Sequence, residues 1–194
     1  SKILMACGDI SNKNTLKKMR ELILKKWKKI DVLVANAGEI SKKSENNNWY
    51  IKKNYLVTKR FVDFFIKDIV KSSGNIILIS SVVSLTKTPA PKGFIESKQM
   101  VNKYGKSLSH KLAKHNVNVN VIAPGNIYFK NGNWFNKMRK DPKRTKKYIN
   151  SQVPMKKFGT IEDISNTCLF LTSKFSSFIT GQIIAVDGGQ ILKK

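Results

Sequence analysis

Apolar residues gather in five short runs along the chain: "KILMAC" (2–7), "DVLVANAG" (31–38), "NIILISS" (75–81), "VNVNVIAPG" (117–125) and "QIIAVDGG" (182–189). Most end in small or turn-forming residues. Three are near-continuous in Val, Ile and Leu, as strands covered on both faces should be. The fourth alternates Val with Asn, which predicts a half-exposed strand.

Between the runs the period changes to that of a helix. Residues 12–30 place Leu16, Met19, Leu22, Ile23, Trp27 and Ile30 on one stripe, behind a cap at Ser11 or Asn12. Residues 50–70 carry Leu56, Val57, Phe61, Phe64, Phe65 and Ile69. Residues 95–115 carry Met100, Val101, Tyr104, Leu108 and Leu112. "TIEDIS", from Thr160, reads as a capping box with Asp163 in the acidic place. Strands alternating with helices predict crossover units and a parallel sheet, hence a single α/β doubly wound domain over 1–194. Residues 126–158 break the alternation. They are long, basic and aromatic, and a loop of that kind is expected to serve as a substrate loop or lid.

A chain of 194 residues with 41% hydrophobic content builds one ordinary core. No apolar run approaches the roughly 20 residues of a membrane span, so a cytoplasmic location with no membrane partner is expected. Cys7 and Cys168 stand far apart with no histidine nearby, which predicts buried free thiols and no metal. His110 and His115 read as surface residues. The net charge of +25 raises the question of nucleic acid. The charge is nearly all Lys, whereas base-reading sites favour Arg, and a coding bias toward Lys, Asn and Ile explains it without a partner.

In open parallel sheets, ligands bind beyond the carboxyl ends of the strands. Those ends here are Gly8 and Asp9, then Asn36, Ala37 and Gly38, then Ser80 and Ser81, then Pro124 and Gly125. "NAG", "ISS", the lysine of "ESK", "APG" and "TGQIIAVDGG" follow one another at set distances. "MKKFGTIEDIS" precedes the last helical pattern. In order and spacing the set resembles the short-chain dehydrogenase/reductase family over essentially the whole chain.

The resemblance implies a Rossmann-like fold, NAD or NADP as cofactor, and a small carbonyl or alcohol substrate. The basic loop suits an anionic one. It also implies a homodimer or homotetramer. By the same resemblance Ser81 would bond the substrate carbonyl. Lys98 would hold the nicotinamide ribose and lower the pKa of the catalytic phenol. Asn54 would support a proton-relay water. Asp9 would lie beside adenine, Asn36, Ala37 and Gly38 would line the adenine-ribose side, and Pro124, Gly125 and Ile127 would border the nicotinamide.

Two departures stand out. Phe94 occupies the place of the family's tyrosine, one helical turn before Lys98, and a benzene ring donates no proton. Tyr104 lies ten residues further on, ~15 Å along a helix. Second, no pair of glycines in the first third forms the GxG of a phosphate-binding turn. The chain reads as truncated by a first βαβ unit, roughly 30 residues or more. The expected function is therefore an impaired or inactive oxidoreductase. The alternatives are a catalytically dead assembly partner and, less favoured, nucleic-acid binding through the basic aromatic loop.

Overall fold

The computed structural model describes residues 3–40, 46–87 and 89–192. Four strands, β1 (Val32–Ala35), β2 (Asn75–Ile79), β3 (Asn118–Pro124) and β4 (Ile183–Val186), form one all-parallel sheet in chain order. Helices α1 (Lys13–Trp27), α3 (Val57–Ser72) and α4 (Lys92–Leu112) share one hydrophobic cluster with the sheet. Helix α7 (Ile161–Leu171) covers the other face. The alternation of the pleat divides the two layers. Ile76 and Leu78 pack toward the first group of helices, and Ile77 packs toward Leu171 with Ile122. This is the doubly wound α/β arrangement read from the sequence.

Short helix α2 (Asn47–Tyr50) runs directly into a π-helical turn, Ile51–Leu56, and then into α3. Caps fall where side chains offer oxygen. Asn12 accepts from the Asn14 N–H at 2.8 Å, and the Thr160–Asp163 capping box is complete.

Four expectations need correction. Ile3–Cys7 is not a strand: Ile3 and Met5 are exposed, and Ile3 O accepts from Lys26 Nζ at 3.4 Å. An apolar run becomes a strand only where a neighbour satisfies its backbone. (Lys2 lies outside the described residues.) Cys7 is accordingly exposed, while Cys168 is half-buried; both thiols are free. The Val/Asn strand is not half-exposed. Asn120 is fully buried, its Nδ2 donating to Ile179 O at 2.8 Å and its Oδ1 accepting from Gln182 N at 3.1 Å. A satisfied amide costs little inside a core, and this one stitches β3 to the approach of β4.

The fourth concerns residues 126–158, which are not a bare loop. They contain α5 (Asn133–Lys140) and α6 (Pro142–Gln152), the latter capped by Asp141 with Pro142 in the first turn. A parallel bridge between Ile127 and Gly159 closes their base. Trp134 stacks on Tyr148, and Phe158 tilts onto both Trp134 and Tyr128. These aromatic faces are thus spent on one another.

The same sheet is uneven in cover. Val32 and Val34 of β1 are each 41% exposed on the α7 side, because no described element reaches that face. Among the described residues no helix is long and apolar enough to cross a membrane.

Helix α4 lies close on the sheet because Gly105 carries no side chain. A Cβ there would stand 2.5 Å from Val121 Cγ2 and 3.2 Å from Leu78 Cδ1. Gly105→Ala is therefore expected to lower stability by ~1–3 kcal/mol through overpacking, although Ala is the better helix former. Urea denaturation checks this, and an unchanged or raised midpoint would show that the helix has room to retreat.

Candidate active site

The parallel ladder brings the carboxyl ends of the four strands to one edge. Helix α4 starts beside that edge and carries two of the expected residues on one face. Phe94 is half-buried, and Lys98 lies one turn later, 5% exposed. Lys98 Nζ donates to Ile79 O, the last carbonyl of β2, at 3.1 Å, and stands 5.8 Å from the Phe94 ring centroid. Among the described residues no carboxylate pairs with it. Burial alone pushes its pKa down from 10.5 to about 8.

Asn54, fully buried, sits in the π-helical turn. Its Oδ1 accepts from Glu39 N at 2.9 Å, and its Nδ2 donates to Glu39 O at 2.9 Å and to Tyr50 O at 3.1 Å. One amide thus clamps the backbone that leaves β1. Gly38 lies against this clamp: a Cβ there would be 2.7 Å from Asn54 Oδ1 and 3.2 Å from Lys98 Nζ. Gly38, Asn54 and Lys98 therefore converge, and only glycine fits at the meeting point. Asn36 and Ala37, just before it, are exposed.

Ser81 follows β2 and opens a 3₁₀ turn, Val82–Ser84, its Oγ reached by Val83 N only at 3.5 Å. Its carbonyl accepts from Ser84 N at 3.0 Å and Ser84 Oγ at 2.6 Å. Ser84 Oγ also accepts from Asn102 Nδ2 at 2.8 Å and contacts Ser80 Oγ at 3.2 Å. Ser80 Oγ in turn donates to Lys98 O at 3.2 Å. Ser80, Ser84 and Asn102 tie the loop of Ser81 to the helix of Lys98. The sequence signal that would find them is three hydroxyls within five residues at a strand end.

The remaining residues are spread along the same edge. Asp9 is exposed, and its carboxylate is held below the usual range chiefly by the Ser11 backbone N–H, with a smaller pull from Lys53, the neighbour of Asn54. Gly125 N donates to Val186 O at 2.9 Å, and its Cα must approach Asp187, where a Cβ would come within 2.7 Å. Pro124, just before it, ends β3. Ile127 is one wall of a cavity of about 280 Å³ beyond β3 and β4, lined also by Met155, Phe158, Asp163 and Asp187. The structure thus brings Lys98, Asn54, Gly38 and Phe94 together, and sets Ile127 in a hollow further along the same edge. Tyr104 is not among them. Its OH donates to Asp63 Oδ1 at 2.7 Å, and burial, then that bond, pushes its pKa up.

The parallel sheet gathers a buried lysine, an asparagine clamp and small residues at its carboxyl edge, where open sheets of this kind bind their ligands. Comparison makes this specific. The sequence profile described as enoyl-(acyl carrier protein) reductase matches residues 1–190. The 3-oxoacyl-(acyl carrier protein) reductase FabG of Thermotoga maritima is 30% identical over 194 residues, covering 95% of this chain and 75% of that one. The enzyme of the same name from Buchnera aphidicola subsp. Baizongia pistaciae is 34% identical over 191 residues, covering 95% and 76%. The solved structure of ElxO with NADP bound aligns with a TM-score of 0.85 at 28% identity, over 96% of this chain and 77% of that one. A form of ElxO with a tyrosine replaced by phenylalanine and NADPH bound aligns equally well. The chain belongs to the short-chain dehydrogenase/reductase family, a family of oxidoreductases.

That family implies a nicotinamide dinucleotide, and the residues present fit its ribose and nicotinamide side. An ammonium group has three N–H donors. Among the described residues, Lys98 spends one on Ile79 O, so two remain for the hydroxyls of a ribose. Gly38 keeps the backbone open beside them. Among the described residues no glycine-rich turn opens onto a helix N-terminus, so none of them forms a pyrophosphate seat.

Because Lys98 prefers to be neutral when folded, its charge costs stability. Below about pH 8 it is charged in both states and the penalty is complete. Between about 8 and the ordinary 10.5 the unfolded chain binds the extra proton, so stability rises with pH. Lys98→Met is expected to be more stable than the parent at neutral pH by ~1–3 kcal/mol, net of the bond lost at Ile79 O. The gain should shrink as pH rises through that window. A difference that does not vary with pH, read by denaturation across the range, would contradict the buried charge.

Proposed function

We propose that the protein acts as an NAD(P)-dependent reductase or dehydrogenase on a small carbonyl or alcohol substrate. The observation that carries this reading is the convergence of Lys98, Asn54 and Gly38 at the carboxyl edge of the sheet. A bound nicotinamide would supply the hydride. The chain's residues would do the rest. Lys98 would donate to ribose hydroxyls and present a positive charge. Asn54 would fix the backbone of Gly38 and Glu39 that borders the ligand. Ser81, with its Oγ only weakly engaged, would donate to the substrate carbonyl. Pro124, Gly125 and Ile127 would border the nicotinamide, and Asn36, Ala37 and Asp9 the adenosine end. Helices α5 and α6 form the substrate cover, and their lysines favour an anionic substrate. The single-domain reading over 1–194 goes with this proposal, as does a homo-oligomeric state.

Phe94 bears on rate rather than on binding. The ElxO form that lacks a tyrosine hydroxyl was solved with NADPH, which supports retention of a cofactor here. A positioned general acid is typically worth ~10²–10⁴ in rate, so the parent chain is expected to be slow. The same residue favours the second reading, a catalytically silent member kept for assembly.

Titration with NADPH, followed by nicotinamide fluorescence, is expected to saturate. Phe94→Tyr is then expected to raise kcat by about 10² with little change in cofactor affinity. Saturable binding with no turnover in either form would decide for the silent member. No binding by either form would remove the oxidoreductase reading.

A further inference from the structure

We propose that Asn102 is a positioning residue, which acts through Ser84 to fix where the Ser81 hydroxyl stands at the carboxyl edge of the sheet. The proposal rests on the oxidoreductase reading above.

Ser81 does not hold its own hydroxyl in place. Its Oγ receives Val83 N only at 3.5 Å, the outer limit of a hydrogen bond. The backbone on either side orients it. Upstream, Ser80 N donates to Ile122 O at 2.7 Å, which pins the chain to β3. Ser81 itself is extended, with φ −164° and ψ 151°, so the chain turns only after it. Downstream, the Ser81 carbonyl accepts from Ser84 N at 3.0 Å and from Ser84 Oγ at 2.6 Å. A shift of Ser84 therefore drags the Ser81 carbonyl and tilts the hydroxyl with it.

Ser84 is held in turn by helix α4. Its one hydroxyl proton goes to Ser81 O, so its oxygen is left to accept, and Asn102 Nδ2 donates to it at 2.8 Å. Asn102 lies one turn after Lys98 on the same helical face and is 6% exposed. Ser80 Oγ contacts Ser84 Oγ at 3.2 Å and donates to Lys98 O at 3.2 Å. One helix thus carries both the ammonium expected at the ribose and the amide that places the hydroxyl expected at the carbonyl. A single rigid turn sets the spacing of those two groups.

The chemistry of Asn102 argues against a purely structural part. Its Oδ1 is buried without a partner among the described residues. A buried acceptor with no donor lowers stability. Leucine, nearly isosteric with asparagine, would remove that cost. The core thus carries an amide where an apolar side chain would be more stable, and the bond to Ser84 is what the amide alone supplies. Misplacing a reacting group by about 1 Å costs on the order of 10² in rate, so a loosened turn is expected to show in kcat.

The test uses Asn102→Leu, Ser84→Ala and the double variant, each made in the Phe94→Tyr chain. Without turnover, amide hydrogen exchange reads the turn. Both single variants are expected to speed exchange at Ser84 N roughly tenfold and to leave α4 and β2 unchanged. Unchanged exchange at Ser84 N in both overturns the proposal. With turnover, kcat for NADPH-dependent reduction of small ketones and 3-oxoacyl thioesters is expected to fall roughly tenfold in either single variant, at unchanged NADPH affinity. The double variant is expected to fall no further, because the two residues act as one unit. An unchanged kcat overturns the proposal and leaves the oxidoreductase reading intact. So does a fall that adds in the double variant, or one matched by weaker NADPH binding, since either marks a general loosening of the site. Should Asn102→Leu fail to fold, Ser84→Ala carries both measurements. If the Phe94→Tyr chain binds no NADPH, or binds it without turnover, the catalytic reading falls and takes the proposal with it.

Discussion

An ammonium group inside a protein is tolerated only where something answers its charge, and Lys98 is answered by one backbone carbonyl. The bond from Nζ to Ile79 O fixes the rest of the site. It joins α4 to the end of β2, and so places Phe94, Ser80 and Ser81 relative to the strand ends. Gly105 allows it by bringing α4 down onto Val121 and Leu78. Gly38 allows it by leaving space beside the ammonium. Asn54 holds that glycine's loop from the opposite side through the backbone of Glu39. Two buried polar side chains from different helices thus meet at a residue with no side chain at all. Desolvation opposes the arrangement, and strand pairing and core packing offset it.

Much of this was legible because parallel strands write themselves as apolar runs. β1 to β4 all fall within such runs, and the turn residues after them mark the functional edge. The first run failed for a reason no single segment contains: a strand needs a partner, and hydrophobicity does not supply one. β1 shows the same gap on its side face, where its buried and exposed positions alternate although its sequence is continuously apolar. Asn120 misled in the other direction. Its polarity suggested solvent, but its amide has acceptor and donor within the fold.

The site was partly readable. Lys98 and Phe94 are a helical turn apart, and that spacing alone put them on one face. The π-helical turn that aims Asn54 has no sequence signature here, since "IKKNYL" would suit an ordinary helix. The network of Ser84 and Asn102 was missed because each residue looks like a common surface polar group. Helix α6 was missed despite an available signal: "DP" is an N-cap followed by proline in the first turn. The basic aromatic stretch also reads differently once folded. Its rings pack on each other and Lys137 lies over the Trp134 ring, so these aromatic faces are engaged within the fold.

The order of strands in the sheet has a consequence for how the molecule comes together. Each strand pairs with the one preceding it in the chain, β1 with β2, β2 with β3 and β3 with β4. Among the described strands, none is inserted between two earlier ones. The sheet is colinear with the polypeptide, and a growing chain is able to add one strand and its helix at a time in the direction of synthesis. Ring closures stay limited to one crossover each, which keeps the entropic cost of each closure low. Assembly of this kind would leave the ammonium unanswered until α4 docks, so the active edge forms midway through folding rather than at its end.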